Sequence, residues 1–475
     1  MGNVYLLSTA ALALAVALLS TSVNAAVKGP LTVHPDNPRY FADGSGKVVY
    51  LTGSHIWNNL QDWGTTDPPP PLDHSAFLDF VKGYNHNYIR GWAWEQAKWV
   101  PWTTEPFYIY PVPYQRTGPG TALDGKPKFD LTRLNQDYYD RLRERVIEAR
   151  DKGIYVSVMF FAGWSVFKGT GGRLVGNPWP GHPYHRDNNI NGIDGDPNET
   201  GEGKHIHTMI DHPNLIAVRE LQKAHVRKAI DTVNDLDNVL YEIGNEIGKH
   251  STEWQYYMIN YIKEYQKQKP KQHLVGMTFQ WPDGRNEDLV ADECPADWIS
   301  FGPGPNNIYR NDPPAADGRK VSILDTDHLW GIGGNRAWVW KSFTRGHNPI
   351  FMDPNYGIPH WGHDPNDPAY ELIRVAMGDT RKYADRMNMV AMKPSVDVSS
   401  TRYALVNAGQ EYLVFQPEAG KEFTVKLNAG NYKFEWFNAA TSKVEGTGNI
   451  SVDDGDRAFT PPFESEAVLY LVKAH

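Results

Sequence analysis

Two periodicities alternate along most of this chain. Short apolar runs recur at Val48–Leu51, Asn87–Trp92, Ile154–Phe161, Asn238–Glu246, His273–Phe279, Trp298–Gly302, Val321–Asp327 and Asn348–Met352. Their length and their wealth of β-branched and aromatic residues predict buried strands. Between them, apolar residues fall at helical spacing. In Asn135–Lys152, Tyr138, Leu142, Val146 and Ile147 share a face, and Gly153 suits the position just past a helix end. Asn214–Val233 and Thr252–Lys267 repeat the pattern, and further helices are predicted at Phe77–Lys82, near Trp338–Phe343 and at Ala369–Met387. Eight strands alternating with helices predict an α/β fold, a (β/α)8 barrel over residues 28–392 with long connections after its strands.

The pattern changes after Met392-Lys393-Pro394. Short strands at even spacing follow: Arg402–Val406, Glu411–Phe415, Glu422–Leu427, Asn431–Phe437, Lys443–Ile450 and Glu466–Val472. They predict a small antiparallel β-sandwich over residues 395–475, an accessory domain without catalytic clustering. Ahead of the barrel, the prolines and glycines of residues 28–47 predict a short hairpin or lid. The aromatic, Pro-rich stretch to about Asp130 and residues 165–210 are predicted as long loops on the catalytic side.

Composition narrows the class. The net charge is −9 among 475 residues, so nothing points to nucleic acid. Sixteen tryptophans and 25 tyrosines, many in Gly/Pro-rich stretches, suit flat faces that stack on sugar rings, with loop anchoring as the plainer use. Cys294 is the only cysteine, which excludes intrachain disulfides and a cysteine metal site. His205 and His207 flank one residue without a third ligand in register, so no metal and no cofactor is expected. Asp187, Asn189, Asn191 and Gly192 imitate an EF-hand loop, but its twelfth position is Asn198; a polar loop facing substrate is the favoured alternative to calcium. The apolar run 4–20 followed by Val23-Asn24-Ala25 predicts a cleaved export signal, residues 1–25. No later run is long enough to span a membrane. An exported chain without disulfides suits a bacterial secreted or periplasmic protein.

The chemistry is read at the strand ends, where barrels carry their catalytic side chains. In Asn238–Glu246 the period of two puts Leu240, Glu242, Gly244 and Glu246 on one side, with Glu246 at the mouth and Gly244 leaving room beneath it. Burial there raises a carboxyl pKa into the range of a general acid. Glu242, one step deeper, reads as a buried glutamate that orients the site. The second strand ends near Arg90, the seventh offers Asp325 and Asp327, and the eighth Asp353. Two carboxyls across a barrel mouth are the parts of a glycosidase. Asp327 is favoured as the second carboxylate because it lies nearer the mouth, with Asp325 as its support and Asp353 as a further candidate. His55, Trp57, Trp92, Trp164, Trp281 and His328 end strands and are candidates to line the sugar site.

At these residues the chain resembles the large clan of (β/α)8 retaining glycoside hydrolases. Tyr241-Glu242-Ile243-Gly244-Asn245-Glu246 and Gly83-Tyr84-Asn85-His86-Asn87-Tyr88-Ile89-Arg90 match its strand-four and strand-two segments. The layout is most similar to the apiosidase-like group. Those proteins open with a segment like Asn37-Pro38-Arg39-Tyr40-Phe41…Gly53-Ser54-His55-Ile56-Trp57 and close with a collagen-binding-type sandwich. The resemblance implies Glu246 as acid/base, a nucleophile at the end of strand seven, and Arg90 holding that nucleophile ionised. It implies Asn245 on the sugar hydroxyl beside the anomeric centre, and pentofuranosides or branched plant polysaccharides as substrates. The clan's nucleophile is usually Glu, whereas strand seven here offers only Asp, and strand six lacks the tyrosine many relatives place beside the nucleophile. A retaining enzyme with an Asp nucleophile, an inverting enzyme and an inactive site all remain open. The rival from another class is a non-catalytic polysaccharide-binding protein on a barrel scaffold. Oligomeric state is not legible.

Mass spectrometry of the secreted protein is expected to find a mature terminus close to Ala26; an intact Met1 would exclude the export signal.

Overall fold

The computed structural model describes residues 27–282, 284–356 and 362–474. The expected export signal lies outside the described residues. Eight parallel strands form one sheet: β1 (Gly53–His55), β2 (Tyr88–Gly91), β3 (Tyr155–Ala162), β4 (Val239–Asn245), β5 (Val275–Thr278), β6 (Trp298–Ser300), β7 (Val321–Asp325) and β8 (Asn348–Met352). Each pairs with its sequence neighbour from β2 to β8, and β8 returns to β1. Asn87 joins β1 to β2: its N–H donates to the Thr52 carbonyl at 3.0 Å and its side-chain oxygen accepts the Thr52 N–H at 3.0 Å. The fold is a (β/α)8 barrel. Its helices are α1 (His74–Gly83), α2 (Gln136–Asp151), α3 (Ile216–Val233), α4 (Thr252–Gln266), α5 (Glu287–Val290), α6 (Ile308–Asn311), α7 (Thr326–Leu329), α8 (Arg336–Thr344) and α9 (Pro368–Arg386). None of the described helices is long and apolar enough to cross a membrane.

The strand period appears directly in β4. Leu240 packs with Tyr88, Tyr155, Trp298 and Val321 inside the barrel, while Val239, Tyr241 and Ile243 pack outward with the helices. The first strand is displaced from Val48–Leu51. Val48–Val49 instead pairs with Phe41–Ala42, which pairs with Thr32–Val33. The change of sheet falls where side chains replace the ladder: Asn348 accepts the Leu51 N–H at 3.1 Å and Asn87 that of Thr52. The small antiparallel sheet is no lid. Leu31 and Phe41 join the interior cluster with Leu51, Tyr88 and Val321, at the strand starts, so it floors the barrel opposite its mouth.

Residues 93–134 are not the expected open loop. Asp62–Gly64, Lys98–Val100 and Thr103–Tyr110 form an antiparallel sheet, and Tyr114–Thr121 pairs with Pro127–Leu134. These strands are solvated on much of both faces, so they carry no clean alternation for a sequence to display.

The C-terminal region is antiparallel: a six-stranded sheet contains Lys393–Pro394, Ala404–Asn407, Glu411–Gln416, Ala467–Lys473, Gly430–Asn438 and Lys443–Val452, and a two-stranded sheet pairs Phe423–Leu427 with Gly455–Phe459. Val425, Leu469 and Phe459 fill the space between the sheets. On the other face, Trp340 of α8 stacks on Phe415 with centroids 6.1 Å apart and meets Phe437 at 5.7 Å. The Arg336–Glu466 ion pair closes the edge at 2.5 Å. Helices α8 and α9 are thus covered on both sides.

In α9, Gly378 lies against the backbone at the end of α1. Alanine is the better helix former by about 1 kcal/mol, yet its Cβ would sit 2.0 Å from the Tyr84 carbonyl oxygen. Gly378→Ala is therefore expected to lower stability by about 1–3 kcal/mol in chemical denaturation.

Candidate active site

Arg90 rises from β2 into the barrel and is almost fully buried. Its Nε donates to Glu242 at 3.1 Å, Nη2 to Asn245 Oδ1 at 2.6 Å and to the second Glu242 oxygen, and Nη1 to Asp325 at 2.9 Å and Asp327 at 3.4 Å. The planar five-donor fork matches these partners as a lysine would not. Ser157 of β3 donates to Glu242 at 2.9 Å, so that glutamate belongs to the support of the site. Asp325 ends β7 and caps α7, accepting the Asp327 N–H at 2.9 Å. His55 bonds it at 2.9 Å.

Strand β7 ends two residues earlier than expected, and Asp327 lies in the first turn of α7. It still faces inward. Glu246, Asp327, His328, Trp57, Trp164 and Trp281 all line one cavity of about 750 Å³ at the barrel mouth. Glu246 follows β4 with φ of 44°, a left-handed backbone that a glutamate rarely adopts. Gly163 permits it: a Cβ there would lie 2.1 Å from the Glu246 carbonyl oxygen. Trp164 Nε1 donates to Glu246 Oε2 at 2.6 Å, and its ring stacks on Trp281 at 4.9 Å.

The carboxyls differ because their surroundings differ. Burial alone would raise Asp325, but His55 and Arg90 hold it well below the usual carboxylate range. Burial and the negative charge of Asp325 push Asp327 up to about 6, against the pull of Arg90. This corrects the expectation of a lowered pKa: Arg90 is drawn more closely to Glu242 and Asp325, and Asp327 receives only its longest contact. Burial and the charge of Asp327 raise Glu246 well above its ordinary value, opposed by the Trp164 N–H. Burial lowers His328 to about 3, so its ring is neutral. The ring bonds Asn245 Oδ1 through Nε2 at 2.9 Å and Ser300 through Nδ1 at 2.7 Å. With Arg90 and His328 both donating to its oxygen, Asn245 presents Nδ2 as a buried donor without a partner among the described residues.

Other expected residues fall elsewhere. Asp353 forms a buried two-point ion pair with Arg374 of α9, at 2.7 and 2.6 Å, which turns it toward the helical shell and away from substrate. His55 and Trp92 do not line the cavity; they stack on each other at 5.7 Å behind it, and Arg90 lies 4.8 Å from the Trp92 ring centre. The Asp187–Asp196 loop does not face the cavity either. The amides of Asn188 and Asn189 turn inward: Asn189 Nδ2 donates to the carbonyls of Pro183, His185 and Ile193, and Asn188 Nδ2 to those of Pro180 and His182. Asp325, Asp327 and His328 bring ligand atoms within 4.8 Å of one another. Arg90 already supplies a fixed cation to both carboxylates there, and both His328 nitrogens are engaged. Trp330, Arg310 and Glu287 also line the cavity and were not anticipated. For Trp330 a signal existed, since it follows the acidic end of strand seven. Arg310 has no such mark.

The fold and this mouth define a (β/α)8 barrel with a cluster of buried carboxyls at the ends of β4 and β7 and an antiparallel β region behind it. A family model described as a domain of unknown function, DUF6298, matches residues 87–293. No curated protein matches the chain. Among solved structures the chain is similar to a glycoside hydrolase at 14% identity, covering 94% of this chain and 97% of that one with a TM-score of 0.59. It is also similar to a family 5 glycoside hydrolase from Bacteroides vulgatus at 14% identity, covering 94% of each chain with a TM-score of 0.58. At that identity the likeness speaks for the fold.

Removing the central cation leaves buried carboxylates uncompensated. Arg90→Met is expected to cost about 3–5 kcal/mol at neutral pH in urea denaturation. The loss should shrink as pH falls, because without the cation the buried Asp325 and Asp327 take up protons in the folded variant at a higher pH than in the folded wild type.

Proposed function

We propose that this chain is an exported glycoside hydrolase that cleaves O-glycosidic bonds in an oligo- or polysaccharide by a retaining route. Glu246 is the acid/base and Asp327 the nucleophile. The pair of buried carboxyls on one cavity, their pKa values raised unequally, carries this reading. The barrel neighbours that are themselves glycoside hydrolases support it.

In the first step the Glu246 carboxylic acid gives its proton to the glycosidic oxygen as the carbon–oxygen bond breaks, and the Asp327 carboxylate bonds to the anomeric carbon. In the second, ionised Glu246 takes a proton from water. The water oxygen bonds to the anomeric carbon, and the ester to Asp327 breaks. The pair titrates as a unit. Arg90 bonds Asp327 and not Glu246, so the charge of the pair is favoured on Asp327 and the proton on Glu246, the arrangement the first step needs. The Trp164 N–H steadies Glu246 when it is charged, and the Nδ2 of Asn245, beside Asp327, is assigned to the sugar hydroxyl next to the anomeric centre. The aspartate fits because the turn of α7 carries the backbone beyond the strand end, which compensates for the shorter side chain. Membership of the apiosidase-like group, and with it pentofuranosides or branched plant glycans as substrates, is part of this proposal. It rests on the opening segment and the C-terminal sandwich.

Glu246→Gln is expected to slow natural substrates by a factor on the order of 10²–10⁴, and less for substrates with a leaving group that needs no proton. Asp327→Asn should abolish turnover of both. The rate should fall as pH drops through about 6, where Asp327 becomes protonated, and fall again on the other side of its optimum as Glu246, its pKa also raised, ionises. Proton NMR of the first-formed sugar should show a retained anomeric configuration. Release of the inverted anomer would replace Asp327 as nucleophile by a base role. Saccharide binding without any hydrolysis would make the protein a binder.

A further inference from the structure

The cavity holds a charge that the proposed chemistry does not use. Arg310 of α6 lines it together with Glu246, Asp327 and Trp330. Its Nε is buried without a hydrogen-bond partner among the described residues. Burial lowers its pKa, and no acid among the described residues offsets the loss. Arg90 and Arg374, by contrast, each meet a carboxylate within 3 Å. A partly buried guanidinium lacking a counter-ion is costly in the free protein.

The backbone is built to hold it there. Asn306 and Asn307, just before α6, are both left-handed, with φ of 53° and 55°. Two consecutive non-glycine residues in that region are strained and persist only when their surroundings fix them. Helix α8 does so: Trp338 Nε1 donates to the Tyr309 carbonyl at 3.0 Å, and Lys341 to that of Asn311 at 3.0 Å. Both neighbours of Arg310 are thus clamped from outside while Arg310 meets the cavity. Its guanidinium carbon lies over the Trp330 ring, 6.0 Å from its centre, so the charge leans on an aromatic wall of the cavity. Arg173 and Arg285 line the same space from the loops after β3 and β5. Apart from the catalytic pair, Glu287 is the one carboxylate among the described lining residues, and it lies 3.9 Å from Arg285.

We infer that the substrate is an anionic saccharide, its carboxylate or sulfate ester held by Arg310, which Trp330 backs. This rests on the glycosidase reading and names its substrate class. The guanidinium fork accepts either oxyanion through two parallel hydrogen bonds.

The test uses the full chain and pairs of oligosaccharides that differ only in charge. Galacturonate and glucuronate oligosaccharides are compared with their carboxyl-reduced forms, and sulfated oligosaccharides with their desulfated forms. At least one charged member should be favoured over its neutral twin in kcat/KM by a factor on the order of ten to a hundred, mostly through KM. The arm in which this appears identifies the oxyanion. Arg310→Gln should bring the ratio close to one, Arg310→Lys should leave an intermediate ratio, and added salt should erode it. Equal rates on charged and neutral twins would overturn the inference alone, as would a ratio that survives in a folded Arg310→Gln protein. If that variant does not fold, an undiminished ratio in Arg310→Lys and in high salt overturns it. Hydrolysis of nothing in either arm by the wild type would overturn the glycosidase reading itself.

Discussion

One buried guanidinium holds the mouth of this barrel in register. Arg90 joins β2 to β4 through Glu242 and Asn245, and to β7 through Asp325 and Asp327. Four carboxyl groups, from Glu242, Glu246, Asp325 and Asp327, stand around a single fixed cation. One positive charge cannot balance four negative ones in a desolvated site. The surplus is reduced by a proton retained on the Glu246–Asp327 pair, and both of those pKa values rise. The raised pKa values of this pair thus follow from an electrostatic imbalance. Such a cluster is a weak source of net stability. It fixes which carboxyl is charged and where each one points.

The backbone around it is tight for the same purpose. Glu246 can occupy its left-handed conformation at the end of β4 because Gly163, after β3, has no side chain to collide with it. The residue after that glycine is Trp164, whose indole N–H meets the Glu246 carboxyl. One close approach therefore sets both the acid and the donor that tunes it. Across the cavity, the strained Asn306–Asn307 turn presents Arg310 while α8 fixes the residues on either side. The C-terminal sheet packs on the far side of α8 through Trp340, so that region braces a wall of the cavity without contributing a lining residue.

The tryptophans divide between two jobs that composition could not separate. Trp63 and Trp94 stack on each other, Trp102 packs edge-on against both, and the three form the core of the loop region beyond β1 and β2. Trp57 touches that cluster and also lines the cavity, where it joins Trp164, Trp281 and Trp330. The same residue type is core in one loop and cavity wall in the next. What differs is which neighbours reach its face.

The sequence by itself determined the barrel, the antiparallel region after it, and the strand ends that carry Arg90, Asn245, Glu246, Asp325 and Asp327. Period and strand order are local properties, and in a barrel they fix which residues point to one mouth. Tertiary structure decided the rest. It ended β7 at Asp325, because that side chain caps α7. It handed Asp353 to Arg374, and it placed His55 and Trp92 behind the site, since a strand end can face the axis or the layer beneath a loop. It reversed the expected shift of Asp327, because the share of Arg90 each carboxylate receives depends on distances of a few tenths of an ångström. It brought Arg310, 220 residues after Arg90 in the chain, into the same cavity. Charge partnership and close approach are set by residues far apart in sequence, and no local pattern records them.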